Sequence, residues 1–165
     1  MENVMNLSVL NTVAEVELFY KTKVKPSERP QVKSSKESYN LLLQTWDQNR
    51  IEFVEQFKVI LMNRAQSVLG IYVLSTGGVT GTVADPKLVF IAALKANACK
   101  ILHNSHNHPS GNLKPSRADE DLTRKIKEAG ILLDIKVLDH IIVTSEGYYS
   151  FADEWHPWGA LPRRQ

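Results

Sequence analysis

The order of elements legible in the sequence predicts an α/β fold, a mixed central β-sheet flanked by helices. Three observations carry that reading. Strand-like and helix-like segments succeed one another as β α β β α β α β β, which fits neither a helical bundle nor a sandwich. The run FKVILM has apolar residues on both faces, Phe57, Val59 and Leu61 on one and Ile60 and Met62 on the other, the mark of a central strand. Composition is that of a globular chain, 43% hydrophobic and 23% charged.

The elements follow in order. Residues 1–10 show no clear period, whereas Val16, Leu18 and Tyr20 alternate in VAEVELFYK and predict a strand over 13–20. From Lys21 to Lys36 six basic residues and two prolines lack an apolar period, which describes a solvated connector better than a basic arm for a partner. Ser34 with Glu37 three residues on has the form of a capping box, and Tyr39, Leu42, Leu43 and Trp46 recur at helical spacing, so a helix is expected over about 35–48. The strand ending in FKVILMN and its partner SVLGIYVLST are joined through NRAQ. Asp85-Pro86 starts a second helix that carries on through LVFIAALKANA. CKIL is a short buried strand. SRADEDLTRKIKEAG is a third helix, with Leu122, Ile126 and Ala129 on its apolar face and Gly130 as its stop. ILLDIKVLD and HIIVT are expected as two strands with Asp139-His140 between them, and SEGY is the turn before YYSF.

These boundaries divide the chain into a strand and basic connector over 1–34, a domain over 35–154 and a tail over 155–165 that carries Trp155, His156 and Trp158. A chain of 165 residues is most simply one domain. Twenty basic against eighteen acidic residues leave a charge of +2, too small to argue for nucleic acid by field strength. Cys99 is the only cysteine, so no intrachain disulfide forms, and in its apolar run it reads as a small core residue. No basic-then-apolar leader is present and no apolar run approaches the ~20 residues that span a bilayer, so a cytoplasmic location without membrane contact is the expectation.

The chemistry concentrates in residues 103–119, HNSHNHPSGNLKPSRAD. Two residues apart on an extended segment, His106 and His108 point to the same side and can offer both rings to one metal ion. A catalytic zinc takes three protein ligands and keeps a fourth position open. Pro109, Ser110 and Gly111 can turn the chain into the third helix, where Asp119 could be the third ligand. Ser116 and Asp119 equally fit a capping box, in which the serine binds an N3 amide and the acid binds back to the cap. One carboxylate can serve both, a metal with one oxygen and a backbone donor with the other. His103, three residues from His106, falls on the opposite side of a regular strand and is set aside as a ligand. The letters HNH do not indicate an HNH nuclease, whose residues are dispersed over a ββα module.

HNHPSGNLKPSRAD resembles the JAMM (MPN+) zinc-hydrolase motif, His-x-His, seven residues, then Ser-x-x-Asp, and matches it at His106, His108, Ser116 and Asp119. HNHPSG, PS-x-x-D, LDHIIV and YYSF are similar, more narrowly, to the bacterial RadC-like JAB domain family over roughly residues 40 to 153. The resemblance implies a JAB/MPN, cytidine-deaminase-like architecture and a Zn2+ ion held by His106, His108 and Asp119. It also implies an upstream glutamate that activates water. The pattern E-x-F before a hydrophobic strand assigns that role to Glu55, with Glu52 as the reserve, and parity agrees because Glu55 shares a face with Phe57, Val59 and Leu61.

The implied reaction is metal-assisted hydrolysis of an amide, with the pKa of a zinc-held water lowered to about 7. Glu55 would take the proton and pass it to the leaving amine. Ser116 would donate to the oxyanion, a role worth on the order of 3 kcal/mol elsewhere. The substrate implied is a peptide or isopeptide bond in a peptide or protein. The rival expectations are a DNA-associated repair or recombination accessory, which rests on the RadC label alone, and a metal-free scaffold for a protein partner. Asp139-His140 is expected to make a buried hydrogen bond that ties its strands to the core.

Overall fold

A computed structural model describes residues 20–77 and 84–154, with backbone only at 103–105. The strand expected over 13–20, apart from Tyr20, and the tail 155–165 lie outside the described residues. Among the described residues, a short 3-10 turn at Pro26–Glu28 precedes helix α1 (Ser35–Thr45), strands β1 (Gln56–Met62) and β2 (Val68–Thr76), and helix α2 (Pro86–Lys95). Strand β3 (Lys100–Asn107), helix α3 (Arg117–Leu132), strands β4 (Lys136–Val143) and β5 (Tyr148–Ser150) and helix α4 (Phe151–Glu154) complete the order. The five strands form one mixed sheet in the order β2-β1-β3-β4-β5, parallel only between β3 and β4 and antiparallel elsewhere.

The period-2 pattern of β1 builds a core on each side of this sheet. Phe57, Val59 and Leu61 pack with Val89, Phe90 and Ala93 of α2 and Ile126 of α3. Ile60 and Met62 pack on the other face with Leu42, Trp46 and Ile51. Lys58 is also buried; its ammonium donates to the Thr45 carbonyl at 2.7 Å and lies 4.1 Å from the centroid of the Trp46 ring. Removal from water lowers its pKa.

The helix starts follow the capping chemistry. Ser34 accepts the Glu37 N–H, although the Glu37 carboxylate reaches one residue further back, to the Lys33 N–H at 2.7 Å. Asp85 accepts from the Lys87 N–H with Pro86 at the first helical position.

Five sequence expectations need correction. The first helix ends at Thr45 rather than about 48, with Trp46 as its cap. The second helix ends at Lys95, with Ala96 as its cap, rather than carrying on to Ala98. Gly130 does not stop α3, which runs on to Leu132. Its lack of a side chain serves the fit to the sheet instead, since a Cβ there would stand 2.6 Å from the Ile135 carbonyl oxygen and 2.8 Å from Val137 Cγ2. ILLDIKVLD and HIIVT are not two strands: Ile131 and Leu132 belong to α3, and Asp139 and His140 sit in the middle of one strand, β4. Polar residues read as a break because their buried partners are distant in sequence. Finally, CKIL is the start of a longer strand, and Cys99 just ahead of it is half-buried rather than fully enclosed.

No helix among the described residues is long and apolar enough to cross a membrane.

Candidate metal centre

β3 delivers the histidines and α3 the acid. The strand does not run regularly to its end: His103 pairs with His140 and His106 with Ile142 of β4, so three steps on β3 match two on β4. That one-residue bulge breaks the strict alternation on which the exclusion of His103 relied; the side chain of His103 lies outside the described residues. After His108 the chain turns through Gly111, whose φ of 75° is favoured in glycine, and enters α3 at Ser116.

One ligand atom from each of His106, His108 and Asp119 lies within 4.8 Å of the others. His106 and Asp119 are buried and His108 is half-buried. The Nε2 atoms of the two histidines are 2.9 Å apart, and Asp119 Oδ1 is 3.4 Å from His106 Nε2, longer than a good N–H···O bond. The other carboxylate oxygen, Oδ2, accepts the Ser116 N–H at 2.8 Å and the Ser116 hydroxyl at 2.6 Å. The Asp119 N–H in turn donates to Ser116 Oγ. Capping and ligation therefore do not compete: Oδ2 closes the helix cap and Oδ1 faces the histidines. The Ser116 hydroxyl hydrogen is directed at Asp119.

Hydrogen bonds away from the centre orient the two rings. His108 Nδ1 meets the Asn112 carbonyl, which can only accept, so the ring carries its proton there and turns a lone pair on Nε2 inward. His106 Nδ1 meets His140 Nε2 at 3.0 Å, and His140 Nδ1 meets Thr123 Oγ1 at 2.6 Å. The Phe57 ring stacks on His106, with centroids 4.7 Å apart.

Asn107, between the two histidines, makes ties that spacing did not reveal. Fully buried, it donates through Nδ2 to the carbonyls of Ile51 at 2.6 Å and Val54 at 2.8 Å, and its Oδ1 accepts the Gln56 N–H at 2.8 Å. The backbone on both sides of Glu55 is thereby tied to the histidine strand. In the β1–β3 register Phe57 faces His106, and the same register continued by two residues sets Glu55 across from His108. Glu52 lies on the preceding turn, where its carboxylate accepts the Ser145 hydroxyl at 2.7 Å. Together with His108, Pro109, Ser110, Gly111, Thr144 and Glu146 it lines an open cleft of about 260 Å³ beside the centre. The signal available in the sequence for Asn107 is its place inside His-x-His, on the strand face away from the two histidine rings.

Asp139 lies behind this layer. Its Oδ2 accepts the Ser150 hydroxyl at 2.6 Å and its Oδ1 the N–H groups of His140 at 2.7 Å and Ala152 at 2.9 Å, so the expected buried tie exists. Burial pushes its carboxyl up to about 6 from 3.8, outweighing these hydrogen bonds, which pull the other way.

A mixed sheet carrying His-x-His at the end of one strand and an acid at the start of the following helix defines a domain of the JAB/MPN class. Residues 32–156 match the RadC-like JAB domain family, and the chain belongs to that family. It is 48% identical over 100 residues to a UPF0758 protein of Flavobacterium johnsoniae, covering 61% of this chain and 43% of the relative. It is 37% identical over 128 residues to a UPF0758 protein of Caldanaerobacter subterraneus, covering 73% of this chain and 53% of the relative. The matches thus span about half the length of these curated relatives.

Proposed function

We propose that the domain is a metal-dependent hydrolase of the JAMM type, that its ion is zinc, and that it cleaves a peptide or isopeptide bond. One observation carries the reading. One ligand atom from each of His106, His108 and Asp119 lies within 4.8 Å of the others, with the two Nε2 atoms 2.9 Å apart and Asp119 Oδ1 3.4 Å from His106 Nε2. Two imidazole nitrogens 2.9 Å apart beside a carboxylate oxygen form a site that a cation, a proton or a metal ion, stabilises. Two nitrogens and one carboxylate oxygen are the donor set that zinc accepts while keeping an open position.

When bound, the ion supplies a Lewis acid for the scissile carbonyl and an acidified water. The chain's residues do the rest. Glu55, held by the Asn107 clamp on the residues around it, accepts a proton at its carboxylate and returns it to the leaving nitrogen. Ser116 turns its hydroxyl from Asp119 Oδ2 towards the carbonyl oxygen as negative charge develops there. The cleft beside His108 gives the substrate its approach.

The test is a peptide-library cleavage screen with zinc and with chelator, alongside metal analysis of the purified chain. About one zinc per chain and chelator-sensitive cleavage are expected. Loss of the metal in His108→Ala and Asp119→Ala would place it at this centre. A chain purified without chelators that holds no metal would end the reading.

A further inference from the structure

We propose that Thr123 and His140 set the tautomer of His106, so that His140 is a positioning residue that keeps the His106 Nε2 lone pair directed at the candidate metal centre. The inference rests on the metal reading above for its purpose, but its first observable does not require a metal.

The direction of each proton follows from groups that can act in only one way. The Thr123 hydroxyl lies 2.6 Å from the Asp119 backbone carbonyl, which has no hydrogen to give, so Thr123 must donate to it. The single hydroxyl hydrogen is then used, and Thr123 Oγ1 can only accept from His140 Nδ1 at 2.6 Å. With its proton on Nδ1, a neutral His140 presents a lone pair on Nε2. That atom, 3.0 Å from His106 Nδ1, must accept, which puts the His106 proton on Nδ1 and leaves Nε2 unprotonated. The chain Asp119 carbonyl, Thr123, His140, His106 thus runs from the first turn of α3 through β4 to β3 and fixes a proton position at its far end.

The scaffold around the chain holds it still. Thr123, His140 and His106 are all fully buried. The His140 ring stacks on Phe151 at 4.3 Å and 7°, and its backbone N–H is bound by Asp139. A metal-bound histidine commonly donates its remote N–H to an acceptor, and loss of that acceptor costs 10- to 100-fold in metal affinity. Here the acceptor is a third histidine, itself oriented by a threonine seven residues after the serine that caps α3.

The test compares the whole chain with T123V, H140Q and H140L, labelled with nitrogen-15 and freed of metal, at mildly alkaline pH. Long-range proton–nitrogen correlation spectra report which nitrogen of each imidazole carries the proton. Zinc affinity is read by competition with a chromophoric chelator. Wild type is expected to hold the His106 proton on Nδ1. T123V and H140L should shift it towards Nε2 and weaken zinc about 10- to 100-fold. H140Q, which keeps an oxygen acceptor for His106, should stay within about threefold of wild type. T123V preserves side-chain shape and keeps the test decisive if H140L fails to fold. Finding His106 protonated on Nε2 in wild type, or wild-type zinc affinity in both T123V and H140L, would overturn the proposal. The expected tautomer in a chain that binds no zinc would uphold the proton assignment and overturn the metal reading instead.

Discussion

Ser116 binds the carboxylate of Asp119 twice, through its backbone N–H at 2.8 Å and its hydroxyl at 2.6 Å, and both bonds fall on Oδ2. Asp119 Oδ1 is thereby turned towards His106. One residue closes a helix and faces a candidate metal position, and the two roles separate by atom.

That separation predicts different outcomes for two substitutions. Ser116→Ala removes the cap hydroxyl and should lower stability by about 1 kcal/mol while zinc is still bound. Asp119→Asn keeps a side chain that can cap but lacks the charge, and should lose zinc with a smaller change in stability. Chemical denaturation and chelator competition on the same samples distinguish the two.

Glu55→Gln should retain zinc and lower cleavage by about 10²- to 10⁴-fold, the range for removal of a general base. Glu52→Gln, which alters the bond to Ser145 in the cleft, should affect substrate affinity more than turnover. Asn107→Ala should reproduce part of the Glu55→Gln loss at unchanged metal content, because it releases the backbone on either side of Glu55. Single-turnover cleavage rates with metal analysis check all three. Full activity in Glu55→Gln alongside an inactive Glu52→Gln would reverse the assignment.

The elevated pKa of Asp139 has a defined effect on stability. The folded carboxyl at about 6 binds its proton more tightly than the unfolded one at 3.8. This group's contribution is therefore fully present below pH 4 and is lost as pH rises through 6, by about 3 kcal/mol in all. Asp139→Asn should remove that slope, and the difference between wild-type and variant stability across pH 4 to 6 isolates it from other titrating groups. Parallel wild-type and variant curves would contradict the shift.

Gly130→Ala should destabilise the fold by about 1–3 kcal/mol, since the added methyl meets the backbone carbonyl oxygen of Ile135 as well as Val137 Cγ2. A lower urea midpoint at unchanged slope is the expected result.

The α/β class, the two-faced character of β1 and the grouping of His106, His108, Ser116 and Asp119 are all legible in local sequence. Those features repeat at short intervals or lie within fourteen residues of one another, so local period and spacing suffice to read them. The cap between Ser116 and Asp119 was legible for the same reason. What stands behind the candidate metal centre follows from tertiary packing alone. Thr123 and His140 meet because α3 packs beside β4, and His140 reaches His106 across a parallel pair whose register contains a bulge. Asn107 joins segments more than fifty residues apart. β4 looked like two strands because Asp139 and His140 interrupt its apolar run, and their burial is compensated by Ser150, Ala152, Thr123 and His106. Periodicity reports which faces are apolar. A buried polar residue becomes intelligible only when the partner that satisfies it is known, and here those partners come from other elements of the fold.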